Sequence, residues 1–313
     1  MPHHIVFAKI GVVLALFGGG WLLRRRGLVE GTAVASLSRI VVDVAFPALV
    51  LVQIPRTVDA ATLQLAWPLP VAGFTLIGGG MVIGRLLARS PTGAFLIGLP
   101  NWIFLPLLIA QGLYGAEGVR AVLLFNAGAQ PALWTAGVVT LGGRANLLSL
   151  LRNPGLVATA IGLVVALGLP DLAAYARGGG ASGWVGLAGR SVVEALDLVG
   201  TVTIPLSLLV TGAQLAEQTG GGDAGELLRV LAGRMVLVPL ATWGLLQAAA
   251  SIGAPLPHQT RVVLLIIAAM PVALSGSLFA QRFGGDTPLA ARAVLVSTLL
   301  SLASVPALVA WVA

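Results

Sequence analysis

The residues of this sequence whose type and spacing could do chemistry are mostly uncharged and sit beside proline. Pro100 lies in the apolar string IGLPNWIFLPLL and is followed by Asn101, Trp102 and then Pro106. Pro271 lies in AAMPVALSGS and is followed by Ser275, Gly276 and Ser277. Proline inside a helix removes one backbone hydrogen bond and crowds the preceding turn. In a lipid-embedded helix the freed backbone groups find no solvent, so such breaks survive where they line a cavity or are buried in protein. If the two breaks cross near a membrane midplane, four half-helix ends meet there. Helix N-termini carry partial positive charge and free N–H groups, which suit a carboxylate. Helix C-termini offer carbonyls, which suit a cation. Pro100, Asn101, Trp102, Pro271, Ser275 and Gly276 are therefore candidate substrate-contacting residues. Pro47, Pro131, Pro205, Pro239 and Pro306 read as ordinary kinks, which membrane helices tolerate.

Other polar residues fall inside apolar runs. Asn126 and Gln130 lie one turn apart, as a stripe facing the crossover or as a helix–helix hydrogen-bonding pair. Asp43 precedes Pro47 by four residues, with Arg39 one turn earlier. They form a structural pair or snorkel to the interface, or they serve as a proton-coupling carboxylate and its partner. Glu194 and Asp197 read as favourable charge at a helix N-terminus or as proton or cation ligands. Arg234 either snorkels or counters an anionic substrate.

Other chemistries lack material. The chain has no Cys, so disulfides and thiolate metal sites are excluded, and with only three His, at positions 3, 4 and 258, a His-based metal site or triad has almost no material. No HExxH, GxSxG, Asp-rich metal run or ATP-binding loop is present, which argues against an enzyme or a primary pump. No cofactor is expected, only proton or sodium coupling or none. The alternatives to an organic-anion carrier are a sodium-coupled symporter of another amphipathic acid and a sensor or channel on the same scaffold.

The elements that must position these residues are membrane spans. Of 313 residues, 58 % are hydrophobic and 9 % charged, where a soluble domain carries about a quarter charged. Apolar blocks bounded by charge, Pro or Gly predict ten spans, near 5–23, 33–54, 66–87, 92–113, 119–141, 154–175, 190–216, 228–250, 259–281 and 288–312. The first block is followed rather than preceded by Arg24, Arg25 and Arg26, the reverse of a signal peptide, and reads as a retained span.

The pattern repeats. Pro100 and Pro271 lie 171 positions apart, and Arg120-Ala-Val-Leu and Arg292-Ala-Val-Leu 172 apart. Tyr114-Gly115 corresponds to Phe283-Gly284, VAFPALVLV around Pro47 to VTIPLSLLV around Pro205, and Pro131-Ala-Leu to Pro306-Ala-Leu. This predicts a duplicated five-helix unit, residues 1–147 and 148–313. Because five is odd, the second copy is inverted, a construction typical of secondary transporters.

The formal charge of +7 comes from seventeen Arg and Lys9 against eleven acids. Arg24, Arg25, Arg26, Arg85, Arg89, Arg144, Arg152, Arg229 and Arg282 fall on one side. Arg56, Arg120, Arg177, Arg190 and Arg261, with Lys9, fall on the other. The excess predicts both termini outside the cytoplasm. Arginines in short loops meet anionic lipid, so no nucleic-acid partner is expected. Arg120 and Arg292 follow Glu117 and Asp286 and read as interfacial anchors, as do Trp21, Trp67, Trp243 and Trp311.

Five segments together resemble the auxin efflux carrier family. They are LSRIVVDVAFPALVL, GLPNWIFLPLLIAQGLYGAEGVRAVLLF, LLRNPGLVATAIGLVVALGLP, VTIPLSLLVTGAQLA and AAMPVALSGSLFAQRFGGDTPLAARAVLVSTLLSLASVPAL. That family includes plant auxin exporters and bacterial malonate and malate permeases. The resemblance implies a fold similar to the bile acid/sodium symporters, with predicted helices 1, 2, 6 and 7 as a scaffold and 3–5 and 8–10 as a transport domain. It also implies small organic anions as substrates, elevator-like movement, a homodimer through the scaffold and a bacterial plasma membrane. By position, Pro100, Asn101 and Pro271 match the crossover motif. Trp102 departs from it, a bulky aromatic where the family commonly has a small residue. Asp43 also departs from the aromatic or apolar residue common there.

Overall fold

The computed structural model describes residues 3–143, 152–180, 182–217, 223–273 and 275–312. Arg144 lies outside them. The described chain is helical: α1 (His3–Arg25), α2 (Gly31–Thr57), α3 (Ala60–Leu87), α4 (Pro91–Gly98), α5 (Phe104–Thr140), α6 (Pro154–Gly168), α7 (Pro170–Ala176), α8 (Gly183–Thr201), α9 (Thr203–Glu217), α10 (Ala224–Ser251), α11 (His258–Ala268), α12 (Ser275–Arg282) and α13 (Thr287–Val312). Among the described residues six stretches are long and apolar enough to cross a membrane: α2, α3, α5, Gly183–Gln214 (α8 and most of α9), α10 and α13. A seventh is added if α6 and α7, bent by 113° at the Leu169–Pro170 junction, count as one. Side chains that water would not tolerate in such number face outward, among them Leu65, Leu86, Trp184, Val185 and Leu245. That outward apolar surface is what a bilayer requires.

Local sequence explains the boundaries. Ser90 and Asn153 accept hydrogen bonds from the first-turn N–H groups of Gly93 and Leu156, each just ahead of a proline that begins a helix. Within α5 the chain turns at Gly115, whose φ of 56° and ψ of −132° favour glycine. Gly118 then lies against the Ala110 carbonyl with no room for a Cβ, so the two parts of α5 fold back on each other. Gly284 (φ 71°) makes the corresponding turn between α12 and α13. The break expected between the fourth and fifth spans is thus a glycine hinge inside one helical run.

Among the described residues three helices contain one π-helical turn each: Val41–Ala45 in α2, Leu133–Gly137 in α5 and Gly233–Leu237 in α10. The first and third end two residues before Pro47 and Pro239. A widened turn gives the proline ring space that an α-turn denies it, and such turns often mark functional positions.

Helices pack through small residues, as expected where lipid removes the hydrophobic drive for association. Gly20 and Gly212 bring α1 and α9 to backbone contact, against Leu209 and Phe17. Gly73 and Gly128 do the same for α3 and α5. Elsewhere α2 packs on α6 and α8, α3 on α4 and α5, and α12 on α13. Helix α8 begins at Gly183, seven residues before the expected start of its span. Glu194 and Asp197 therefore lie well inside it rather than at its N-terminus. Glu194 is exposed, and Asp197 pairs with Arg56 of α2 at 3.0 Å.

Candidate functional site

Helix α4 stops at Gly98 and the chain runs without helix until α5 begins at Phe104. Helix α11 stops at Ala268, and α12 begins at Ser275. The two interruptions cross each other. Pro100 and Val272 form an antiparallel bridge, the one isolated bridge among the described residues. The Asn101 N–H donates to the Pro271 carbonyl at 2.8 Å, and the Ala273 N–H to the Leu99 carbonyl at 3.0 Å. Each break thus satisfies backbone groups of the other, which is how irregular backbone persists at membrane depth. Flanking helices complete the accounting: Ser297 Oγ accepts the Val272 N–H at 3.1 Å, and the Trp102 indole donates to Asn126 Oδ1 at 3.0 Å.

Beside the crossing lies a cavity of about 320 Å³. The crossover contributes Pro100, Asn101, Trp102, Ile103, Phe104, Ala273, Ser275 and Phe279, and α5 adds Gln130, Leu133 and Trp134. The opposite wall comes from Ser38, Val41, Val42 and Phe46 of α2, Asn153 and Gly155 around the start of α6, and Ser207, Val210, Thr211 and Gln214 of α9. None of these lining residues is ionisable. Their donors are specific. The Asn101 and Gln214 amides have no hydrogen-bond partner among the described residues, and Trp134 Nε1 is buried without one. Ser207 and Thr211 donate to backbone carbonyls of their own helix. The first turns of α5 and α12 also open here, with N–H groups that a helix cannot use internally. Pro106 in the first has no N–H, and the Gly276 N–H in the second donates to the Ala273 carbonyl at 2.8 Å.

The sequence profile of the membrane transport protein family matches residues 4–146 and 140–309. The chain belongs to the auxin efflux carrier family. It is accordingly a membrane transporter, of a family that is not enzymatic. No curated protein sequence matches it.

In this auxin efflux carrier family member the structure gathers Pro100, Asn101, Trp102, Gln130 and Ser275 around the cavity. Asn126 is fully buried behind Trp102, Pro271 supplies a bridging carbonyl, and Gly276 packs against Leu96. Arg39 and Asp43 lie elsewhere: both are exposed, and no ion pair joins them among the described residues. Asp43 sits in the π-turn whose neighbours Val42 and Val44 are also exposed. Arg234 neither snorkels nor reaches the cavity. It is fully buried and bound to backbone carbonyls.

The α9 wall was missed, although Ser207, Thr211 and Gln214 follow helical spacing along one face of an apolar helix. Trp134 carried no comparable signal, because its inward aim depends on a π-turn. Arg282 stacks over the Trp134 ring at 6.0 Å and over Phe283 at 5.8 Å. That places an exposed cation beside one wall of the cavity.

Proposed function

We propose that this protein is a secondary carrier of small organic anions, carboxylates in particular, working by elevator-type alternating access. The observation that carries this reading is that two helix starts, Phe104 and Ser275, open on one cavity without ionisable lining. Partial positive charge from two helix dipoles and unpartnered N–H donors can hold a carboxylate there without a fixed counter-charge. Phe46, Trp102, Phe104, Trp134 and Phe279 suit an apolar or aromatic body behind the carboxylate. The uncharged walls let the loaded site cross a low-dielectric region without dragging a side-chain charge.

In this reading the chain has ten spans in two inverted five-helix repeats, 1–147 and 148–313. Ten follow if α1 is one crossing, α5 is divided at Gly115, α4 joins the first part of α5, and α6 with α7, α8 with α9, and α11 with α12 are each one. The scaffold is α1, α2 and α6 to α9, the transport domain the remainder, and the cavity lies where the two groups face each other. Two scaffolds meet in a homodimer, in a bacterial plasma membrane with both termini outside.

The test is counterflow in proteoliposomes with a panel of labelled mono- and dicarboxylates. Saturable exchange of at least one acid is expected, with KM raised about tenfold in Asn101→Ala, the loss of one hydrogen bond to a charged group. If no acid exchanges, the substrate class is wrong. If an acid exchanges and Asn101→Ala leaves its KM unchanged, the site is wrong.

A further inference from the structure

Arg234 lies in the π-turn of α10 and has no exposed surface. Its Nη1 donates to the Ile97 carbonyl at 3.0 Å, and its Nη2 donates to the Ala268 carbonyl. Ile97 is the penultimate residue of α4, and Ala268 is the last residue of α11. One guanidinium therefore holds the carbonyl ends of both helices that break at the crossover. Gly233 makes the approach possible, since a Cβ there would press on the Ile97 side chain.

A buried cation is costly unless it is compensated. No carboxylate pairs with Arg234 among the described residues. The compensation comes from the two helix ends, each carrying roughly half a negative charge on carbonyls with no partner in their own helix. Two such ends brought together form a site for a monovalent cation. Here a side chain already fills it. Arg234 does not line the cavity, so it acts behind the substrate site, on the helix ends opposite to those that open on it.

We propose that Arg234 is a built-in cation, filling the two-carbonyl site that a coupling sodium ion would otherwise occupy and thereby making transport independent of sodium. The transport part rests on the carrier reading of the cavity; the cation part does not. With the charge fixed, the two half-helices stay joined through the cycle, and no cation must be bound or released with the substrate.

The experiment uses the full chain, in liposomes for exchange and in detergent for thermal unfolding. Wild-type exchange of a transported carboxylate is expected to be equal in sodium, potassium and N-methylglucamine at constant ionic strength; a requirement for sodium overturns the proposal. Arg234→Met, neutral and of similar length, is expected to unfold at lower temperature and to exchange about tenfold more slowly or worse. Millimolar guanidinium or sodium should partly restore both, while urea, with the same shape and no charge, should restore neither. A folded Arg234→Met that exchanges at the wild-type rate without any added cation, or that no cation restores, overturns the proposal. If Arg234→Met does not fold, Arg234→Lys decides. Retained stability and sodium-free exchange support the built-in charge, and failure equal to that of the neutral variant overturns it. If the wild type exchanges no carboxylate, the carrier reading fails by itself, and the unfolding measurements still decide the role of Arg234.

Discussion

Ser297 braces one break as Asn126 braces the other. Ser297 Oγ accepts the Val272 N–H at 3.1 Å, and Asn126 Oδ1 accepts the Trp102 indole N–H at 3.0 Å. The two bracing residues lie 171 positions apart, the same interval that separates Pro100 from Pro271. Each sits on the long helix that follows its own break, α5 or α13, and reaches back to the unwound segment. Both are fully buried. The crossing is thus held twice, once by backbone between the halves and once by a side chain within each half.

Ser297→Ala leaves the Val272 N–H buried and without its acceptor. A stranded buried donor costs about 1–3 kcal/mol. Thermal unfolding in detergent should show that loss, while Ser301→Ala, which removes only a hydroxyl bonded to the carbonyl one turn earlier, should lose less. Equal losses would mean that Ser297 does not brace the break.

The Trp102–Asn126 pair predicts non-additivity. Trp102→Phe strands Asn126 Oδ1, whose Nδ2 is already buried without a partner, and should cost about 1–3 kcal/mol. Asn126→Leu strands the indole N–H at similar cost. The double variant removes both polar groups and should be clearly more stable than the sum of the singles implies. Additive losses in a double-mutant unfolding cycle would show that the bond is not energetically coupled.

The breaks and hinges were legible because their causes are local. A proline in an apolar run announces an interruption, and Pro100 and Pro271 lie in the two breaks, while Gly115 and Gly284 fall in the gaps between expected spans. Arg234 was not legible. Its partners are backbone carbonyls of helices remote in sequence, and a carbonyl has no residue type to recognise. The absence of an Arg39–Asp43 pair has a different reason. The spacing of the two presumed an unbroken α-turn, whereas Asp43 sits in a π-turn that alters its phase, and both side chains are exposed. The cavity was half legible: the crossover wall follows from the prolines, but the α9 wall needed the face of one helix to be set against the break in another.

Arg282 predicts a salt-dependent KM. It is exposed and stacks over Trp134, a ring that lines the cavity, at 6.0 Å. A charge so placed attracts an anion before it binds and is screened beyond roughly 10 Å at 0.1 M salt. Arg282→Ala should raise KM several-fold at low ionic strength, with the difference shrinking as salt rises and kcat unchanged. A fall in kcat with no salt dependence would place Arg282 in the conformational cycle instead.

Among the described residues no ionisable group lines the cavity, and this sets the expected response to pH. A carrier that takes up a proton at its binding site needs a group titrating there, and neither His nor a carboxylate lines this one. Exchange, once corrected for the ionised fraction of the substrate, should therefore be flat from about pH 5 to 8, the range in which histidines and perturbed carboxylates usually report. Asp59 supplies the contrasting acid response. It caps α3 by accepting the Thr62 N–H at 2.7 Å, and that hydrogen bond holds its carboxyl below the ordinary 3.8. A depressed carboxyl stabilises the fold at every pH above its unfolded value, and the contribution is lost as pH falls through the lower folded value. This acid loss lies below the transport window and should appear in unfolding, not in exchange at neutral pH. The two effects separate in one pair of measurements, corrected exchange and thermal unfolding against pH, on wild type and Asp59→Ala. A sigmoid in corrected wild-type exchange between about pH 5 and 8 would sink the uncharged-site reading and turn attention to Asp43, the exposed carboxylate of the α2 π-turn. The profile of Asp43→Asn would then decide whether that residue carries the proton.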